Sequence, residues 1–233
     1  MTEKTPLLLL PGLLCDRALW GHQLDTLTDL AEMTVGDMTL DDTVDGMAVR
    51  NIARMPDKFA LAGLSMGGYS AQAVMRLAPE RVTKLALLDT SARSDTPDRI
   101  QGRRDLIARA AAGEFKEVVE RHLPVYLPPE RLTEEPLVNA VRQSAYIVGE
   151  AAYQRQQTAL INRPDNRTNL SAIGCPTLVL CGRQDRATTL EMHEEMATEI
   201  PNAALVVIED CAHLSPLEQP HAVSAAMRYW LNI

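Results

Sequence analysis

Six short apolar runs, each four to seven residues long and closed by turn-forming residues, alternate along this chain with longer segments of helical period. Mostly apolar runs without regular alternation, such as those over residues 7–10 and 59–62, fit strands buried on both faces. Strands separated by helices pair in parallel, because only a crossover of that length can carry the chain back to the same end of a sheet. The expected strands are residues 7–10, 32–35, 58–62, 82–88, 177–181 and 204–208, with helices at 16–29, 43–54, 66–77, 188–199 and 219–231. Thr188 and Glu191 stand in capping-box spacing at the start of the fourth helix, and Pro79 closes the third.

The alternation breaks once, between Thr90 and Leu170. No strand is expected there. Helical patterns are, over 97–112, 114–122 and 133–162, with Phe115, Val118, Val119 and His122 on one stripe. Open α/β sheets bind ligands at the carboxyl ends of their strands, so an insertion leaving the fourth strand is placed to roof a binding cleft. The chain then divides into an α/β core of residues 1–91 and 171–233 and a helical cap of 92–170. A length of 233 residues suffices for one core of this kind.

Just after the third run stands Gly63-Leu64-Ser65-Met66-Gly67. A serine on a strand-to-helix turn this tight has its hydroxyl exposed and a helix N-terminus behind it, the geometry of a nucleophile. A serine hydroxyl needs a base to take its proton and an acid to hold that base in the right tautomer. The expected order is serine, acid, histidine, each after a strand. Asp185 follows the run 177–181 and His213 follows 204–208. Asp89 also follows a strand and competes for the acid role, or else caps the insertion's first turn; Asp210 lies too near His213 in sequence. Of the five histidines, His193 sits in the polar stretch Glu191-Met-His-Glu-Glu195 and reads as a solvated helix residue. His22 and His221 fall at helix starts and His122 on an insertion helix, so only His213 follows a strand. Donors for a developing oxyanion are expected from the N–H of Met66 and the N–H of Leu13 in the turn Pro11-Gly12-Leu13-Leu14.

A net charge of −8 argues against nucleic acid and anionic lipid as partners. The N-terminal stretch lacks the basic-then-apolar order of a signal peptide and no run spans a bilayer, which points to the cytoplasm. Four cysteines without zinc spacing read as free thiols. Neither a phosphate-cradling glycine loop nor a metal-ligand pattern is present, so no cofactor is expected.

With Pro11-Gly12-Leu13, Gly63-x-Ser65-x-Gly67, Asp185 and His213 in this order, the chain resembles the α/β-hydrolases over nearly its whole length. Leu180-Cys-Gly-Arg-Gln-Asp185 and Ala212-His-Leu-Ser-Pro-Leu-Glu-Gln-Pro220 are similar to the 3-oxoadipate enol-lactonase and small carboxylesterase branch. The resemblance implies the strand order 2-1-3-4-5-6, a helical cap after the fourth strand, and a Ser-His-Asp hydrolase of small esters or lactones. Two departures stand out. Only six residues precede Leu7, so the antiparallel pair that usually opens the family's sheet is expected to be missing, and Pro11 occupies a position where many relatives have histidine.

The expected substrate is a small ester or lactone. Expected pocket walls are Leu13, Trp20, Leu64, Met66 and Leu214, with some of Tyr126, Tyr146 and Tyr153 from the insertion, while Arg17, Arg103 or Arg142 could hold a substrate carboxylate. The same three catalytic groups also suit a carbon–carbon, thioester or peroxy-acid bond. A small-molecule receptor without turnover could use the same fold.

Overall fold

The computed structural model describes residues 4–233; residues 1–3, part of the N-terminal stretch read for a targeting signal, lie outside them. Its strands are β1 (Thr5–Leu10), β2 (Ala31–Val35), β3 (Phe59–Leu64), β4 (Val82–Leu88), β5 (Thr177–Gly182) and β6 (Ala203–Ile208). They form one sheet in the order β2-β1-β3-β4-β5-β6, with every neighbouring pair parallel. Fold class and strand order are as the sequence implied.

The apolar residues of the strands serve two cores at once. Leu8 and Leu10 of β1, Leu61 of β3 and Val179 of β5 pack on one face of the sheet with Met47 of α2 (Val44–Ile52), Ala71 and Val74 of α3 (Met66–Leu77) and Met196 of α8 (Leu190–Glu199). Leu7, Leu9, Ala60, Ala62 and Leu180 serve the other face, with Trp20, Val223, Met227 and Trp230, the last three from α10 (Pro220–Asn232). Alternate side chains point to opposite faces. Each leucine so buried contributes about 1.5–3 kcal/mol.

The expected first helix, 16–29, is replaced by a 3₁₀ turn (Arg17–Trp20) and the short α1 (Gly21–Thr26). The N–H groups of Leu30 and Ala31 both turn back onto the Leu27 carbonyl and send the chain straight into β2. Between β4 and β5 the chain is helical. Thr96 accepts the Arg99 N–H and Pro97 takes the first position of α4 (Pro97–Arg109), so that helix starts where capping allows. A wide turn, Ala110–Glu114, containing Gly113 at φ +88°, leads into α5 (Phe115–Tyr126). The apolar stripe of α5 continues through Leu123 to Tyr126, beyond the expected end at 122. What reads as one helix over 133–162 is two, α6 (Glu135–Val148) and α7 (Glu150–Ile161), parted by Gly149 at φ +78°. A positive φ ends a helix, and glycine takes it without a Cβ penalty. The four-residue α9 (Ser215–Glu218) precedes α10. Among the described residues no helix is long and apolar enough to cross a membrane.

Candidate active site

β3 ends at Leu64 and α3 begins at Met66, so Ser65 alone makes the turn, at φ +52° and ψ −112°. Such a conformation costs a non-glycine residue about 1–3 kcal/mol and persists only where the surroundings fix it. They do so here. The Ser65 N–H donates to the Leu88 carbonyl at 3.0 Å, and the Ser65 carbonyl accepts the Tyr69 N–H at 3.1 Å and the Thr90 hydroxyl at 2.8 Å. The two flanking glycines are steric requirements: a Cβ on Gly63 would lie 2.3 Å from the Gly67 carbonyl oxygen, and one on Gly67 2.1 Å from that of Leu10.

His213 follows β6 and is 2% exposed. Its Nε2 lies 2.9 Å from Ser65 Oγ and its Nδ1 2.8 Å from Asp185 Oδ2. A carboxylate can only accept, so Nδ1 carries the proton, and Nε2 is left to accept from the serine hydroxyl. Asp185 is itself held: Oδ1 accepts the N–H groups of Ala187 and Thr188, and Oδ2 accepts the Thr188 hydroxyl. Thr188 therefore does not cap α8. Thr189 takes the N-cap position, because the Thr188 hydroxyl is spent on the carboxylate.

Burial alone would raise the Asp185 carboxyl, but His213 and the Thr188 donors outweigh it and hold the group below the usual carboxylate range. Burial likewise works against protonation of His213, and Asp185 outweighs it, so the imidazole sits above its ordinary 6.5. Asp89 behaves oppositely. Burial first, and then the neighbouring Asp185 charge, push it well up. It neither touches His213 nor caps the insertion; Oδ1 accepts the Gly182 N–H and Oδ2 the N–H and hydroxyl of Ser215, tying β4 to β5 and α9.

The loop that carries His213 has a further carboxylate that sequence reasoning missed. Glu218 accepts the N–H of Ala212 at 3.1 Å and of Leu214 at 2.9 Å, one residue on either side of the histidine. The His213 N–H goes to the Tyr126 carbonyl at 3.1 Å. His193 is buried rather than solvated. Its Nε2 accepts the Thr90 N–H at 3.0 Å, so its Nδ1 is the protonated nitrogen and donates to Thr189 O. Spacing could have found this, since His193, Met196 and Ile200 form one buried stripe.

The cavity against Ser65 measures about 80 Å³ and is lined by Leu13, Tyr69, His122, Tyr126, Leu160 and His213 among others, with Arg99 and Arg103 of α4 at its wall. Larger hollows lie elsewhere. One of about 360 Å³, beside the far end of α3 at Gln72 and Arg76, has no serine–histidine pair. Leu13 and Tyr126, both expected at a pocket wall, line this cavity. Trp20, Leu64 and Leu214 do not: all three are packed in the core, Trp20 on the sheet face that α10 covers. Met66 likewise turns its side chain into the opposite core while its N–H opens α3 behind Ser65. Tyr153 hydrogen-bonds His122 from within the core, and Tyr146 is exposed on α6. Burial, then Arg103 and His213, push His122 down to about 4, so it is neutral beside the site. Cys15 is no rival nucleophile, because burial and then Asp16 push its thiol up to about 12.

A hydroxyl on a strained turn, an imidazole within proton-transfer distance and a carboxylate fixing its tautomer can together generate an alkoxide equivalent against a carbonyl. The alpha/beta hydrolase family model matches residues 7–226, and the chain belongs to that family. It is a hydrolase with esterase and lactonase relatives. The chain is similar to 3-oxoadipate enol-lactonase 2 of Acinetobacter baylyi, 25% identical over 199 residues that cover 83% of this chain and 73% of that one. Similar too is the pimeloyl-(acyl-carrier protein) methyl ester esterase of Nitrosomonas europaea, 25% identical with 77% and 73% covered. Among solved structures, a thermophilic esterase from Thermogutta terrifontis with malate bound superimposes with a TM-score of 0.90 at 31% identity, covering 98% of this chain and 89% of that one.

Proposed function

We propose that this chain is a serine hydrolase that cleaves a small carboxylic ester or lactone through an acyl-enzyme. The observation that carries the reading is the unbroken relay from Ser65 Oγ through His213 to Asp185, with links of 2.9 and 2.8 Å. Ser65 Oγ attacks the carbonyl carbon as His213 Nε2 takes its proton. The tetrahedral oxyanion meets the N–H groups of Leu13 and Met66, for which no acceptor is found among the described residues. His213 returns the proton to the leaving alkoxide, then removes one from water, which frees the acid and restores the serine. A fluorophosphonate probe tests it directly. Stoichiometric labelling at Ser65 is expected, and a folded wild-type protein that stays unlabelled where a control esterase reacts would sink the reading.

The same wall suggests the charge of the substrate. Asp95 is shared by Arg103 at 2.5 Å, Arg163 at 2.8 Å and Arg99 at 3.4 Å. Burial opposes ionisation of Asp95, yet Arg163 and Arg103 hold it well below the usual carboxylate range. Three guanidiniums share this one carboxylate, and two of them, Arg99 and Arg103, line the cavity that holds Ser65; a partly buried cluster of net positive charge favours an anionic ligand. The similar esterase from Thermogutta terrifontis was solved with malate, a dicarboxylic acid, bound. The half-methyl ester of a short diacid is expected to be hydrolysed with about tenfold higher kcat/KM than the dimethyl ester, a preference that Arg99→Gln reduces. Equal kcat/KM for the two esters in the wild type would reject an anionic substrate.

The pH dependence follows from His213. The base works only when neutral, and its pKa lies above 6.5, so activity is lost as pH falls through a value above 6.5. The check is kcat/KM against pH on a neutral ester: an acid limb centred at or below 6.5 contradicts the Asp185-supported imidazole.

A further inference from the structure

Three groups of the turn that follows β1 find their partners in the helical insertion. The turn closes with the Cys15 N–H on the Gly12 carbonyl at 3.1 Å, which puts Leu14, at φ +59°, in the third position of a four-residue turn. Glycine normally fills such a position, because a side chain there is strained. The peptide between Leu13 and Leu14 is gripped on both edges. Tyr126 Oη donates to the Leu13 carbonyl at 3.0 Å, and Gln156 Oε1 accepts the Leu14 N–H at 3.1 Å. Gln156 is fixed in turn by its own donation to the Met38 carbonyl at 3.1 Å, and Ser144 Oγ holds the Asp16 N–H at 2.7 Å. None of these partners lies in the sheet.

Tyr126 also reaches the base. Its carbonyl takes the His213 N–H at 3.1 Å, and its ring stacks on the imidazole with centroids 5.6 Å apart and planes 19° apart. His122 also stacks on the Tyr126 ring, with centroids 5.4 Å apart. One residue at the end of α5 therefore touches both the loop of the base and the loop of the oxyanion donor.

We infer that Tyr126, with Gln156, is a positioning residue that clamps the Leu13–Leu14 peptide and thereby aims the Leu13 N–H at the oxyanion. The Gly12 carbonyl is held by Cys15, so the Leu13 N–H on the same peptide points the opposite way, toward the site. Rotation of the next peptide out of its strained setting would carry that donor off line. The insertion is then part of the catalytic geometry and not only a roof over it. This inference rests on the acyl-enzyme reading above.

Tyr126→Phe removes the hydroxyl and keeps the carbonyl and the ring. Expected for p-nitrophenyl acetate is a fall in kcat of about 10- to 100-fold, with KM changed less than twofold. A trifluoromethyl ketone, whose adduct carries the oxyanion, should lose affinity by the same factor as kcat, while the acid limb of the pH profile stays in place. The fluorophosphonate should still label Ser65 to completion, more slowly. Unchanged kcat, or a rise in KM alone, overturns the inference and makes Tyr126 a simple wall. Should Tyr126→Phe not fold, Gln156→Met removes the other grip and is held to the same split between kcat and KM. Failure of the wild type to label removes the acyl-enzyme reading together with the inference; labelling with unchanged kcat in the variant removes the inference alone.

Discussion

Replacing Ser65 with alanine should lower kcat by about 10⁵- to 10⁶-fold while leaving the thermal midpoint within about 2 °C of the wild type. The two halves of that expectation have separate causes. Ser65 Oγ makes one hydrogen bond, to His213 Nε2, and a bond of that kind contributes only about 1 kcal/mol net to stability. The strain at φ +52° is a backbone cost that alanine inherits unchanged, and the bonds that hold the turn use the N–H and carbonyl of residue 65, not its side chain. Chemically the loss is total, since the new side chain has no atom that can bond to the carbonyl. Whatever survives comes from water attack assisted by His213 and the oxyanion donors. Steady-state hydrolysis of p-nitrophenyl acetate beside a melting curve is the measurement. Retention of more than about 1% of kcat by a folded Ser65→Ala protein would mean that the nucleophile is elsewhere.

Why the serine was legible and its surroundings were not follows from the range over which sequence patterns act. The turn at Ser65 is a local event: two glycines within five residues, an apolar run before and a helical period after. The strands are local as well, and each observed boundary lies within two residues of the run that signals it. Asp185 and His213, which the fold brings together with Ser65, each follow such a run. A pocket wall, by contrast, is decided by which face of the sheet a side chain joins. Trp20 is apolar and lies ten residues past the end of β1, yet its ring belongs to the face that α10 covers, opposite to the side where α3 packs. Thr188 failed as a cap for the same reason. The local capping-box rule lost to the Asp185 carboxylate, which needed that hydroxyl. Arg99 carried no apolar signal at all, although Arg99 and Arg103 stand one helical turn apart and both reach Asp95.

Asp185→Asn should lower kcat by about 10⁴-fold with little change in fold, and the hydrogen-bond arrangement says which way the amide settles. The Oδ1 position receives two backbone N–H groups, from Ala187 and Thr188, which cannot turn away. The amide oxygen has to take that place. The NH₂ group then faces His213 Nδ1, which becomes an acceptor, and the imidazole proton moves to Nε2, where it points at Ser65 Oγ. A protonated Nε2 cannot take the serine proton. Thr188 adapts by turning its hydroxyl to accept, so the loop keeps its shape. Asp89→Asn is the counterpart. One of its ends then presents an NH₂ to a donor, either Gly182 or Ser215, at a cost of about 1–3 kcal/mol in stability. It makes no bond to His213, so the tautomer stands and kcat should stay within about tenfold of the wild type. Measured side by side, kcat and thermal midpoint separate the two carboxylates: a large kcat loss at normal stability for Asp185, lowered stability with modest kcat loss for Asp89. The reverse result would move the orienting role to Asp89 and leave Asp185 as a brace for the loop before α8.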